Sequence, residues 1–284
     1  MHDKPHTAPT REFALPDHAV LAMTGRDAQA FAQAQFMNDV AALGDGQWQW
    51  SGWLTPKGRV IALFALLRLD AQTLWLLLPD GNAAALAEQL RRYVFRSKVS
   101  LDVRDDLRVG GCFSPPAQAA AASMAHAGDR IELDLSGDAD PRQLWIDTQP
   151  AATDAEDLAR WLASDLRHGL PHLPMDQTGQ WTPQQLSLER LRAFSIKKGC
   201  YPGQEIVART HFLGQAKRGL ALLDTDTALA AGAEVGDGAR ALGTVVSSVG
   251  TLALAVLPLE RGDAPLSSGG TPVRERPLAG GLAR

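Results

Sequence analysis

The stretch Lys197-Lys198-Gly199-Cys200-Tyr201-Pro202-Gly203-Gln204-Glu205-Ile206-Val207-Ala208-Arg209 constrains the fold more than any other. Gly199 and Gly203 permit positive φ, and Pro202 fixes its own φ and removes a donor, so the backbone turns tightly there. Ile206 and Val207 then point to a short strand or the start of a buried element. Upstream, Thr182 at an N-cap and Pro183 at the first helical position start a helix expected to run to about Phe194 and deliver the chain into this loop. A thiol close to two lysines should ionise more readily than an isolated one, because opposite charge favours the thiolate. A small buried cysteine in a structural turn is the competing reading, and the residues alone leave both open.

The rest of the chain limits what that loop can belong to. With 284 residues there is room for two or three domains and a large core. The net charge of −4 argues against a general nucleic-acid binder, which needs clustered positive charge. Two cysteines, Cys112 and Cys200, are too few for a disulfide framework or a self-contained zinc site, and Cys112 sits in no motif. His168, His172 and His211 stand alone, so no residue is assigned to a metal. Residues 1–12 read as a polar, disordered leader without the apolar run of a signal peptide. Val60–Leu67, the longest apolar run, is far short of a membrane span, and the expected location is the cytoplasm.

Along the chain, residues 13–23 read as a strand, and Thr24 with Asp27 as a capping box for a helix to Phe36. Trp48, Trp50 and Trp53 fall in a run too short for a helix face, Thr55–Gly58 makes a turn, and Arg59–Leu69 a buried strand. Leu74–Leu78 is a strand and Ala83–Lys98 a helix whose far end is basic, with solvation as the default role of Arg91, Arg92, Arg96 and Lys98. Val99–Val109 looks like a strand pair edge, residues 115–128 an Ala-rich helix or loop, and Ile131–Leu135 and Gln143–Ile146 strands. Thr153 and Glu156 cap a helix that buries Leu158, Trp161, Leu162 and Leu166 and stops at Gly169 and Pro171. After residue 214 short strands alternate with Gly, Asp and Pro turns, as in a small antiparallel barrel, and Gly280–Arg284 looks frayed.

Lys-Lys-Gly-Cys-Tyr-x-Gly-Gln-Glu-x-x-Ala-Arg over residues 197–209 resembles the signature of the YgfZ-type folate-binding proteins. These are relatives of the glycine-cleavage T-protein that serve iron-sulfur cluster assembly and repair. Gln35-Phe36-Met37-Asn38-Asp39-Val40, Trp53-x-x-Pro56-Lys57-Gly58-Arg59, Asp165–Pro171 and Thr182-Pro183-Gln184 are similar to further landmarks of that family, here as in its bacterial branch. The resemblance covers roughly residues 13 to 260. It implies an α+β, T-protein-like multi-domain fold around a central folate-binding cavity, with a C-terminal small antiparallel β-barrel. The expected division is 13–110 and 111–213, two α+β units, and 214–284, the barrel.

The same resemblance implies tetrahydrofolate or a derivative as cofactor. A pterin needs a flat slot and a few placed polar groups, and its glutamyl tail needs cations. Trp53 or Tyr201 are the candidates for stacking, Asn38, Asp39, Gln204 and Glu205 for polar contacts, and Lys57, Arg59, Lys198 and Arg209 for the tail. Cys200 is the candidate catalytic thiol, with transient contact to iron or an Fe–S intermediate as one of its roles. Implied partners are Fe–S enzymes or assembly proteins as clients, with no direct nucleic-acid binding and no membrane. Two departures from the T-protein bear on the reaction. Its acidic pair aligns with Ala62 and Leu63, which accept no proton, and a pterin-binding glutamate aligns with Arg167. An accessory protein for Fe–S enzymes, including those that modify tRNA, is therefore the leading reading, ahead of a one-carbon transferase and a ligand-free interaction module.

Overall fold

A computed structural model describes residues 11–212, 214 and 216–284; most of the expected leader, residues 1–10, lies outside them. Arg11 and Glu12 are held by Asp154 at 2.7 Å and Arg130 at 2.8 Å. The first unit is a sheet whose two faces are both covered. Its strands are β2 (Ala19–Thr24), β3 (Gln47–Leu54), β4 (Val60–Asp70), β5 (Thr73–Leu78) and β6 (Ser100–Val103), antiparallel in the order β3-β4-β5-β2-β6. Because side chains alternate along a strand, β4 sends Phe64 and Leu66 to one face and Leu63, Ala65 and Leu67 to the other. That explains the unbroken apolar run of β4, which has no solvent face to serve.

The outer face packs under α1 (Ala28–Gln35) and α2 (Ala83–Arg91), which contribute Phe31, Ala32, Leu86 and Leu90. The inner face joins a larger core shared with a second sheet, with α3 (Ala155–Arg167) and with the barrel. That second sheet runs β1-β7-β10-β9-β8 through β1 (Phe13–Ala14), β7 (Arg108–Cys112), β8 (Ala125–Ala127), β9 (Arg130–Asp134) and β10 (Gln143–Asp147). The expected division at residue 110 falls inside β7. Residues 204–212 form α4 (Gln204–Phe212). The barrel is closed in the order β11-β14-β13-β12-β15-β16, from β11 (Arg218–Thr225), β12 (Glu234–Gly236), β13 (Ala241–Val249), β14 (Leu252–Pro258), β15 (Leu266–Ser268) and β16 (Thr271–Arg276), as the turn spacing predicts.

Several local expectations are corrected. Thr24 ends β2 rather than capping a helix, and Asp27 spends its carboxylate on the Lys98 amide at 2.6 Å. Asp154, not Thr153, caps α3 by accepting from the amides of Glu156 and Asp157, both at 3.0 Å. The helix expected from Thr182 is a chain of turns and one 3-10 segment, Leu188–Leu191. Ser187 and Arg192 break it at φ 49° and 54°. The Ser187 hydroxyl accepts the Leu220 amide of β11, and the Arg192 carbonyl accepts from Asn38, so each left-handed residue turns the chain toward a partner. The basic-ended helix stops at Arg91, not Lys98. β6 and β7 lie in different sheets instead of pairing. Residues 115–124 are loop, organised by Glu132 accepting the amides of Ala117, Gln118 and Ala119.

The frayed end is corrected most sharply. Leu282 is 2% exposed, and its carbonyl accepts the Trp50 indole N–H at 2.8 Å. Arg284 donates to the carbonyls of Asp134 and Ser136.

Candidate functional site

Gly203 sets the geometry of the thiol loop. Its φ is 80°, and a Cβ there would lie 2.7 Å from both Gly58 Cα and the Thr55 carbonyl. Gly58 itself has φ 68°. Two turns far apart in sequence thus meet backbone to backbone, which glycine alone permits. The chain then enters α4, so Ile206 and Val207 are helical rather than a strand, and Ile206 packs on the same Gly58. Tyr201 is buried and its hydroxyl donates to the Ser195 carbonyl at 3.2 Å; burial pushes the phenol up to about 12. Gln204 Nε2 closes the loop on the Lys198 carbonyl at 3.1 Å.

Lys198 points inward. Its ammonium donates to the carbonyls of Gln33 and Phe36 at 2.5 Å and of Asn38 at 3.2 Å, at the C-terminal end of α1, where orphan carbonyls and the helix dipole favour a cation. Burial lowers its pKa to about 8 against the opposing pull of Asp39. Asn38 completes the clasp, donating to the carbonyls of Trp50 and Arg192, both at 2.8 Å, while Asp39 accepts from Gln33. Of the two lysines expected to flank the thiol, one is therefore committed to backbone, and only Lys197 is exposed beside the exposed Cys200.

The remaining sequence candidates are placed as follows. Arg59 donates to the Gln180 carbonyl and to Gln185 Oε1, and Lys57 is exposed. Glu205 and Arg209 pair one turn apart on the solvent side of α4. Trp53 is 3% exposed on the outer face of the first sheet, edge-on to Tyr93 at 5.7 Å. Asn38, Asp39, Lys198, Tyr201 and Gln204 are thus brought into one cluster around Cys200, with Lys57 and Arg59 on the adjoining turn. They form a clasp rather than a cavity: Tyr201 and Trp53 offer no free ring face, and Lys198 no free ammonium.

A cavity lies elsewhere. A cleft of about 380 Å³ opens where the three units meet, lined by His18, Pro79 and Asp80 of the first, Leu158, Leu162, Leu166 and His172 from the α3 region, and Ser247 and Val249 of the barrel. None of the ten residues expected to hold folate lines it. One wall is a buried charge network. His172 sits between Asp80 Oδ1 at 2.7 Å and Asp165 Oδ2 at 3.1 Å, and Arg142 reaches Asp165 Oδ1 at 2.7 Å. Burial alone would push the imidazole down; Asp80 and Asp165 outweigh it and hold His172 at about 10, so it is a cation at neutral pH. Burial likewise opposes both carboxylates, and the cations beside them keep each below its usual range. His18 is pushed down to about 4, first by burial and then by the His172 charge, and is neutral. His18 Nδ1 and Ser247 Oγ have no hydrogen-bond partner among the described residues. Sequence reasoning missed this site because its members are scattered from residue 18 to residue 249. The signals were Pro79-Asp80-Gly81, which reads as a mere turn, and Asp165–Pro171, which reads as a family landmark with no role for Asp165.

Ala62 and Leu63, the positions aligned with the T-protein's acidic pair, lie on a second, smaller cleft of about 90 Å³ that shares Asp80 and Pro174 with the first.

Comparison with known proteins follows the same lines. The fold matches the crystal structure of the glycine cleavage system aminomethyltransferase T from Bartonella henselae with a TM-score of 0.70, over 94% of this chain and 85% of that one, at 16% identity. Residues 217–278 match the family CAF17, C-terminal beta-barrel domain. A tRNA-modifying protein YgfZ from Klebsiella pneumoniae is 31% identical over 268 residues, covering 85% of this chain and 81% of its own. This chain belongs to the YgfZ family. An uncharacterized protein from Haemophilus influenzae is 28% identical over 217 residues, 75% of this chain and 73% of its own. The YgfZ resemblance read from residues 197–209 is thereby shown, as is the T-protein-like α+β fold with its closed barrel. No described helix is long and apolar enough to cross a membrane.

Proposed function

We propose that this YgfZ-family chain binds tetrahydrofolate or a derivative in the cleft between its three units and serves the assembly or repair of iron-sulfur enzymes, tRNA-modifying ones among them. The observation that carries the reading is the cleft's chemistry. Its walls pair an apolar slot, Leu158, Leu162, Leu166 and Val249, with two polar atoms, His18 Nδ1 and Ser247 Oγ, that have no hydrogen-bond partner among the described residues. Buried polar atoms without partners are costly, and a pterin edge carries donors and acceptors that would satisfy them. The residues present therefore fit the group. A bound reduced folate would supply a one-carbon carrier and an oxidisable pterin; the chain supplies the slot, the neutral His18 and a fixed charge network behind it.

Cys200 enters the proposal as an exposed thiol on a rigid clasp, outside the cleft's lining. Cys112 is fully buried, and no cluster of metal-ligating side chains is present among the described residues, so contact with iron or an Fe–S intermediate would be transient and completed by a client protein. T-protein-type aminomethyl transfer is disfavoured by Ala62 and Leu63, which neither accept a proton nor hydrogen-bond through their side chains.

Calorimetric titration with tetrahydrofolate tests the reading. Wild type and Cys200→Ser are expected to bind alike, and Leu162→Trp, which fills the slot from a half-buried position, is expected to abolish binding. Absence of binding by wild type to tetrahydrofolate and to its methylene and formyl forms would overturn it. In cells, Cys200→Ser is expected to lower the activity of an Fe–S-dependent tRNA-modifying enzyme; unchanged activity would remove the thiol from the function.

A further inference from the structure

The segment Arg91-Arg92-Tyr93-Val94-Phe95-Arg96-Ser97-Lys98 is not absorbed by either the clasp or the cleft. Four cations within eight residues at the end of a helix would ordinarily be assigned to its dipole. The structure removes that explanation for two of them, because α2 ends at Arg91 and leaves Arg96 and Lys98 beyond its last turn. Apolar packing against Trp53 accounts for part of Tyr93 but not for Phe95. Phe95 is 87% exposed and Tyr93 42% exposed.

The strip is held rather than loose. Arg91 donates to the Leu101 carbonyl, and Tyr93 rests edge-on against the buried Trp53. Lys98 is fixed at both backbone atoms, its amide donating to Asp27 Oδ2 at 2.6 Å and its carbonyl accepting the Asp27 amide at 3.3 Å. That pairing brings the exposed Arg26 alongside as a fifth cation. Among the described residues the carboxylates facing the strip are few: Glu88 lies 3.4 Å from Arg92, Asp27 is occupied by the Lys98 amide with Arg26 at 3.8 Å, and Asp102 accepts from Ser100.

We propose that residues 91–98, with Arg26 beside them, form a docking surface for a single-stranded segment of RNA. Guanidinium groups match phosphate, and an exposed ring next to them offers a face on which a base stacks; an acidic protein segment would use the cations and leave Phe95 unused. The chain's net charge of −4, which argues against general nucleic-acid binding, does not bear on a local strip of this kind.

The test uses the full chain without folate and a fluorescein-labelled single-stranded RNA of roughly 12 nucleotides, within the site sizes such surfaces take. Anisotropy titrations over a series of salt concentrations are expected to show binding that weakens with salt. Phe95→Ala is expected to weaken it roughly fivefold or more through lost stacking. Arg92→Ala combined with Arg96→Ala is expected to lower the slope of log affinity against log salt by about 1.4, two phosphate contacts on a single strand. All three side chains are exposed, so the variants should keep the wild-type unfolding midpoint. No binding at low salt, equal binding by both variants, or competition by polyglutamate as effective as by unlabelled RNA would each overturn the proposal.

Discussion

Replacing His172 by Leu tests the charge network at its centre. The imidazole is raised from 6.5 to about 10 in the fold, and at ~1.4 kcal/mol per pH unit that shift corresponds to at most about 5 kcal/mol. Removing one member of a buried ion pair strands its partners, at a measured cost of roughly 3–5 kcal/mol, so about 3–5 kcal/mol is expected here. The sign follows from proton counting. A raised folded-state pKa stabilises fully below the unfolded value and is lost as pH rises toward 10. His18 works in the opposite direction: depressed to about 4, it makes the fold less stable as pH falls from 6.5 toward 4. The wild type should therefore lose stability on either side of a pH near 6.5 through these two groups. Urea unfolding midpoints from pH 5 to pH 10 provide the assay. The gap between wild type and His172→Leu should narrow steadily from pH 6.5 toward pH 10, as the stabilisation that is full below 6.5 is lost and the wild-type imidazole also becomes neutral. A gap that stays constant from pH 6.5 to 10 would show that His172 is not a cation in the fold and refute the reasoning.

Two further expectations concern the backbone and the packed tail. Gly203→Ala should destabilise the clasp by about 1–3 kcal/mol or more, since the new Cβ meets backbone at 2.7 Å and φ is 80°, whereas Gly199→Ala, with open space around it, should stay within about 0.5 kcal/mol; thermal melts of the pair check this. Leu282→Ala should cost roughly 2–5 kcal/mol, as expected for a leucine truncated in a packed core, and a change within 0.5 kcal/mol would mean the segment is not docked in solution.

The architecture was legible where pattern and period agree. Antiparallel strands with Gly, Asp and Pro turns announced the barrel, and the apolar run of β4 announced a buried strand. Residues 197–209 announced the family. What sequence did not reveal was direction. Lys198 reads as a cation available to the thiol or to a folate tail, but the carbonyls at the end of α1 draw it inward, and the Phe36 carbonyl that closes that helix is 162 positions away along the chain. The helix expected after Thr182 carries the right capping residues, yet tertiary partners at Leu220 and Asn38 override them. The cleft was invisible for a related reason: His18, Asp80, Asp165 and His172 share no spacing, and only the meeting of the three units makes them neighbours.

The bond from Trp50 to Leu282 spans 232 positions. During synthesis the first sheet therefore leaves the ribosome with one indole N–H and part of its inner face unfinished. Completion waits until the whole barrel has been made and the segment after it arrives. Folding of this chain is thus not strictly unit by unit from the N-terminal side. Its earliest element is closed by one of its latest, and a nascent form stalled before residue 278 would expose apolar surface that a chaperone could grip.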